Sequence, residues 1–365
     1  MSENQAAKFF TLLADETTDY SQREQLSVCF RYVLPDSTIR ERLFCFAHAP
    51  DLTGSGLAKQ LLQIIEGAGL DPKLLVGQGY DGASAMSGTV NGVQKHVQDV
   101  CPSAVYVHCF AHKLNLCLSK AASIPLVNSA VTLMNDTATF FCDFNKRLQI
   151  LQSCIDTECP ETSRICLKKH CDTRWVESQT AVIVFKESYP AVVAAVEAAT
   201  SLSGETGAKA TIMLHAMNDS FLLAVEVLHA VMSVTKPLSV RLQSASQDVM
   251  TATKSVEACI DVLRNIRSGD LFQQLFTDVE RITGNAIQMP RVVGRQRNRA
   301  NAPSETPLEH YRRNLFFPFI DACIMQLQVR FGPTTVTATQ LCSLIPAWCC
   351  DRSFDLLTDG IKLYE

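Results

Sequence analysis

The chain has 365 residues and a mass of 40.2 kDa, enough for two domains or for one large domain with an insertion. Hydrophobic residues make up 47% and charged residues 19%, which supplies a core and excludes global disorder. A formal net charge of −4, from 33 basic and 37 acidic side chains, excludes a generally basic nucleic-acid coat but leaves room for a local basic patch.

Strand-like and helix-like patterns alternate over the first 125 residues. Phe9–Ala14 reads as a short first strand that ends at an acid, and Leu26–Leu34 as a second. Ile39–His48 reads as a third, with Arg40, Arg42, Phe44 and Phe46 on one parity, after a turn at Asp36-Ser37. Thr53-Gly54-Ser55 leads into a helix over Leu57–Ala68, with apolar residues at 57, 61, 62 and 65. Leu74–Tyr80 is the fourth expected strand, Ala83–Val100 a helix, Ala104–Phe110 the fifth strand, and Lys113–Ala122 another helix. The order β-β-β-α-β-α-β-α combines an antiparallel meander with parallel crossovers. That is the fold class expected here: α/β, with the mixed sheet of a ribonuclease-H-like core, although other α/β folds share the order.

After about Ser123 the pattern becomes helical, over Leu126–Cys154, Thr173–Thr200, Ala208–Ser244 and Gln247–Arg267, with a polar break at Ser201–Gly207. The expected domains are a catalytic core over 1–125, an all-helical insertion over 126–302 and a helical segment over 303–365. The insertion ends in a basic loop at 291–301, and the last segment carries a helix over Pro307–Phe331.

The apolar runs Ala191–Ala199 and Phe221–Val234 are too short, or carry Glu and His, for a membrane span of about 20 apolar residues, so no membrane is expected as a partner. Met1–Phe10 lacks a secretory-signal pattern. The strand-like run beginning by Lys8, and the lack of a finishing element at Leu363-Tyr364-Glu365, lead us to expect a fragment or a truncated product. Fifteen scattered cysteines without a CxxC pair fit reduced thiols of the cytosol or nucleus, not a disulfide scaffold or a zinc ribbon.

Asp15 and Asp81 close the first and fourth expected strands. In a ribonuclease-H-like sheet those strands are neighbours, and two carboxylates there could hold the hard divalent cation, Mg²⁺ or Mn²⁺, that phosphoryl transfer uses. Singly, Asp15 as a turn acid and Asp81 as a helix cap are the commoner roles. Cys109-Phe110-Ala111-His112 is a CxxH spacing with no second ligand pair nearby, and a buried Cys with a hydrogen-bonded His explains it equally well. Cys171-Asp172-Thr173-Arg174-Trp175 offers an Arg and a Trp that could grip a phosphate and an unpaired base, though a packing Trp under an Arg stem is commoner. Arg291, Arg295, Arg297 and Arg299 suit phosphate contacts or a solvated loop. Gly77-Gln78-Gly79 is not a dinucleotide fingerprint, and GxSxG, HExxH and Walker sequences are absent.

Together, LADETTD (13–19), GYDGASAMSG (79–88), VHCFAHKLNL (107–116), CDTRW (171–175) and HYRRNLFFPFIDACIMQLQVRF (310–331) resemble the hAT superfamily of DNA transposases, in particular its host-gene-like members. The resemblance implies a ribonuclease-H-like catalytic domain split by a helical insertion, acting on DNA in the nucleus with a divalent cation. It assigns Asp15 and Asp81 as the first two catalytic, metal-binding acids and His112 as a phosphate neighbour beside the site. It assigns Arg174 and Trp175 to a flipped base at the transposon end. The third acid of the family is expected beyond Glu365, not at Glu305 or Glu309. Homodimerisation is not expected without the family's C-terminal region. An incomplete acid triad loses much of its electrostatic stabilisation. Two readings therefore stand: a transposase relic that still engages metal and DNA, and a domesticated, catalytically inactive module that binds nuclear proteins.

Overall fold

The computed structural model describes residues 8–161, 166–169, 175–244, 248–290, 305–332 and 358, without the side chains of 175–177. Five strands form one mixed sheet in the order β3-β2-β1-β4-β5: β1 (Phe10–Thr18), β2 (Glu24–Val33), β3 (Ile39–His48), β4 (Leu75–Tyr80) and β5 (Val105–His108). β1, β2 and β3 pair antiparallel in sequence, whereas β1–β4 and β4–β5 are parallel. The α/β class and the mixed sheet agree with the sequence reading.

Alternation builds the core of this sheet. Phe10, Leu12 and Ala14 of β1, and Leu26, Val28, Phe30 and Tyr32 of β2, are buried at every second position. Helix α1 (Gly54–Gly67) lays Leu57, Leu61 and Ile65, spaced by four, into the same core. Thr53 caps that helix, its Oγ1 accepting from the Gly56 N–H at 3.1 Å. Phe10 and Phe30 meet edge to face at 5.7 Å.

Several boundaries differ from the expected ones, each for a local reason. β1 does not end at Asp15. It runs to Thr18 because β2 continues to pair with it, Asp15 opposite Ser27 and Thr18 opposite Glu24. In β3 a bulge shifts the register, with Val28 opposite Cys45 but Cys29 opposite Leu43. The shared parity of Phe44 and Phe46 is broken there: Phe44 packs on Phe30 at 5.3 Å, while Phe46 is exposed. The helix expected over Ala83–Val100 is two, α2 (Ser84–Ser87) and α3 (Val93–Val100). A Cβ on Gly92 would lie 2.3 Å from the Gly88 backbone, so the chain folds back between them on two glycines. β5 stops at His108, and Phe110 already belongs to α4 (Phe110–Ala121).

The chain divides into two compact units. The first draws on Met1–Leu114, Val240–Ser255 and Arg330–Glu365, and the second on Asn115–Ser239 and Val256–Val329. The second is helical. The expected run Leu126–Cys154 is α5 (Pro125–Cys142) and α6 (Asn145–Glu158), parted at Asp143-Phe144. The run ending at Thr200 is α7 (Trp175–Glu187) and α8 (Tyr189–Thr200), the latter opened by a proline in its first turn. α9 (Glu205–Ala216), α10 (Asp219–Leu242), α11 (Val249–Ser268) and α12 (Leu271–Thr283) follow. α13 (Pro307–Tyr311) passes through a π turn at Arg312–Phe316 into α14 (Phe317–Phe331), as one helical run over the expected span.

α10 corrects the reading of its apolar run as too short. It continues through Pro237 for 24 residues and is long and apolar enough to cross a membrane by composition alone. Leu223, Ala224, Val225, Val227 and Leu228 are fully buried in protein, as expected of a core helix. Its one buried acid, Glu226, pairs with Lys186 of α7 at 2.6 Å, which supplies the partner a buried carboxylate needs.

Phe30 is fully buried between Phe10 and Phe44, so Phe30→Ala is expected to cost about 3–5 kcal/mol. Phe46→Ala, on an exposed side chain of the adjacent strand, should change stability by no more than about 0.5 kcal/mol. Urea unfolding of both variants checks this, and equal losses would contradict the assigned faces.

Candidate functional site

The parallel pairing of β1 with β4 places the two predicted acids. Leu12 faces Gln78 and Leu13 faces Gly79 across the ladder. Two residues further along each chain stand Asp15, still within β1, and Asp81, the first residue after β4. Asp15 continues the parity of Leu13, opposite to the core parity of Leu12 and Ala14.

Asp81 is held on both sides. Its carbonyl accepts from the Tyr106 hydroxyl at 3.0 Å, and its Oδ1 accepts from the Ala83 N–H at 3.0 Å. The Cys109 N–H donates to the Tyr80 carbonyl at 2.8 Å, tying the end of β4 to the start of α4. The expected helix-cap role of Asp81 is thereby corrected: Ala83 occupies the cap position of α2, and the Asp81 carboxylate closes a turn instead. Gly82 is required in this turn. A Cβ there would lie 2.6 Å from His108 Cε1 and 3.3 Å from His112 Cδ2. The two imidazole rings approach to 5.4 Å between centroids.

Glu16 is the residue the sequence reading passed over. It follows Ala14 on the buried parity of β1, and its Oε1 is buried without a hydrogen-bond partner. Burial pushes its carboxyl up from the usual range, and the charges of Asp81, Glu24 and Asp15 push it further. Asp15, Glu16 and Asp81 therefore share one electrostatic neighbourhood. Its signal in the sequence was an acid at the position where strand alternation calls for an apolar side chain.

The neighbouring thiol and imidazole are shifted as well. Desolvation raises the Cys109 thiol, and the Asp15 and Asp81 charges add to that, against backbone N–H groups of His112 and Ala111 that lower it. Cys109 is consequently a neutral thiol at neutral pH. His108 is pushed down to about 4, first by burial and then by the Lys113 and His112 charges, with Asp81 opposing. It is a neutral ring, and its Nε2 is buried without a hydrogen-bond partner. His112 lies in the first turn of α4 beside it.

Among the described residues, no three His, Cys, Asp or Glu side chains are arranged to hold a metal ion together. The site is thus an electrostatic neighbourhood of three carboxylates, Asp15, Glu16 and Asp81, and not a closed cage. Trp175 opens α7, but its side chain is outside the described residues. Arg174, Arg291, Arg295, Arg297 and Arg299 also lie outside them.

Residues 1–92 match the family described as the ZMYM1/FAM200 RNase-like domain, DUF4371. That match spans β1 to β4 and includes Asp15, Glu16 and Asp81, whereas β5, Cys109 and His112 follow its last residue. The chain is 23% identical over 361 residues to the human 52 kDa repressor of the inhibitor of the protein kinase, covering 95% of this chain and 47% of that protein. The mouse protein of the same name is 23% identical over 362 residues, covering 95% of this chain and 48% of its own length. The chain spans about half the length of these curated relatives. It is similar to them along nearly its whole length, and to the RNase-like family over the part that carries the two aspartates.

Proposed function

We propose that this chain is an hAT-transposase-derived protein whose first unit is a ribonuclease-H-like domain, and that Asp15 and Asp81 bind a divalent cation at a DNA phosphodiester in the nucleus. The observation that carries this reading is the register of β1 and β4: Asp15 within β1 and Asp81 just after β4 each stand two residues beyond the paired Leu13 and Gly79. The strand order β3-β2-β1-β4-β5, with only β2 running against the other four strands, supports the same reading. The match of residues 1–92 to an RNase-like family supports it further.

The donor set suits Mg²⁺ or Mn²⁺. These ions take one or two carboxylates and complete their shell with water and phosphate oxygens, so the absence of a third assembled ligand is compatible with binding. A bound ion would supply charge stabilisation at the scissile phosphate. Asp15 and Asp81 would hold it, and the Tyr106 and Ala83 hydrogen bonds fix the turn that carries Asp81. His112, the phosphate neighbour that the resemblance implies, would donate to a phosphate oxygen, and the His108 ring packs beside it. Arg174, Trp175 and the arginines at 291, 295, 297 and 299 complete the reading as DNA contacts, by resemblance for the first two and by charge for the rest.

The second reading, a catalytically inactive module that binds other nuclear proteins, is favoured by one observation: no three described ligands converge on a metal. Calorimetric titration with Mn²⁺ separates the two. Wild type should show one saturable binding event, and Asp15→Ala/Asp81→Ala should weaken it at least about tenfold, the loss of about 1.4 kcal/mol or more. No binding by the wild-type chain would favour the interaction module.

Glu16 gives a pH-dependent check. Its folded-state proton affinity is raised, so its ionisation opposes folding; that penalty is absent below the unfolded value and complete above the folded one. Glu16→Gln should therefore raise the melting temperature by a few degrees at pH 7–8. The gain should fade as pH falls toward 4.5, and it should shrink at pH 7 when Mn²⁺ is added. A melting shift independent of both pH and Mn²⁺ would contradict the shared acidic field.

A further inference from the structure

The second unit carries a pair of thiols that neither the acidic site nor the core packing uses. Cys142 is the last residue of α5, and Cys166 lies in the short described segment 166–169. That segment lies against the end of α5 through three separate contacts. The Cys142 thiol donates to the carbonyl of Leu167, the residue after Cys166, at 3.4 Å. Lys169 pairs with Asp143, the residue after Cys142, at 2.8 Å. The Leu167 side chain is buried at 4% exposure, which anchors the segment from below. The two thiols themselves are within hydrogen-bonding reach of one another. Cys166 is exposed, so a small reagent can reach it, while Cys142 is partly covered.

Other groupings are less informative. Cys117, Cys259 and Cys323 lie together but are all buried, out of reach of any oxidant. Cys154 and Cys159 have no thiol partner among the contacts of the described residues.

We propose that Cys142 and Cys166 form a reversible disulfide when the protein meets a small-molecule disulfide such as oxidised glutathione. The exposed Cys166 thiol loses its proton, and its sulfur attacks one sulfur of glutathione disulfide. That S–S bond breaks, and one glutathione leaves as a thiolate that takes up the proton. The Cys142 thiol then loses its proton and attacks the Cys166 sulfur, and the second glutathione leaves and is protonated in turn. Two protein thiols are oxidised by two electrons, and one glutathione disulfide is reduced to two thiols. Cys166 acts first because burial and the neighbouring Cys166 and Asp143 charges raise the Cys142 thiol and keep little of it as thiolate at neutral pH. The bond staples the segment to α5.

The test uses the full chain and needs no functional assay. The protein is incubated with oxidised glutathione, residual thiols are alkylated, and non-reducing tryptic peptides are mapped by mass spectrometry. A peptide pair joining Cys142 to Cys166, lighter by two hydrogen atoms than the reduced pair and lost on adding dithiothreitol, is the expected result. Cys142→Ser should leave Cys166 as a stable glutathione adduct, and Cys166→Ser should leave Cys142 largely alkylated. The wild-type map decides the matter even if a variant folds poorly. A wild-type glutathione adduct at Cys166 with Cys142 alkylated, or Cys142 joined chiefly to Cys154 or Cys159, would overturn the proposal.

Discussion

The parallel pairing of β1 with β4 is the constraint on which the rest of this site depends. β1 is already paired on its other side with β2 as part of an antiparallel meander. Its second edge accepts β4 only after the chain has crossed over through α1. Because parallel neighbours advance in the same direction, the ladder delivers both chains toward the same end of the sheet. Asp15 and Asp81 each stand two residues beyond the last paired positions, Leu13 and Gly79, and both charges act on Glu16 and Cys109. A slip of one residue in this ladder would turn Asp15 toward the opposite side from its partner.

Bringing carboxylates together at such a point works against folding, and the surroundings show where that burden falls. Glu16 bears it most visibly, with a buried oxygen that has no hydrogen-bond partner and a proton held unusually tightly. The Asp15 and Asp81 charges also help to raise the thiol of Cys109, which follows β5, whereas His108 at the end of β5 is held neutral by burial and by the Lys113 and His112 charges, against Asp81. The corner is therefore rich in negative charge with uncharged, polarisable groups along its rim.

Much of this was legible in the residues. Alternation at Phe10, Leu12 and Ala14, and again from Leu26 to Tyr32, marks two strands with one buried face. The four-residue spacing of Leu57, Leu61 and Ile65 marks α1. Asp15 and Asp81 stood out because each follows an apolar strand-like run. What alternation could not convey was the extent of pairing. β1 runs past Asp15 because β2 continues to bond with it, a long-range fact with no local signature. The bulge at Phe44 is likewise set by the partner strand. Long helical stretches were read as unbroken because glycine at 88 and 92, or proline at 190, looks tolerable within an apolar pattern. Glu16 was overlooked because an acid in a strand's last turns reads as solvent-facing, and only the continuation of β1 reveals that its parity is inward.

The order in which these pieces leave the ribosome follows from one feature of the connectivity. The five strands of the described residues, with the turn carrying Asp81, are encoded before residue 109, whereas the other described parts of the first unit, apart from 109–114, come from 240–244, 248–255, 330–332 and 358. During synthesis the sheet and both aspartates can be in place while the helices from α5 onward are still being made. The segments of the first unit that lie after residue 239 are made only once these strands have been synthesised.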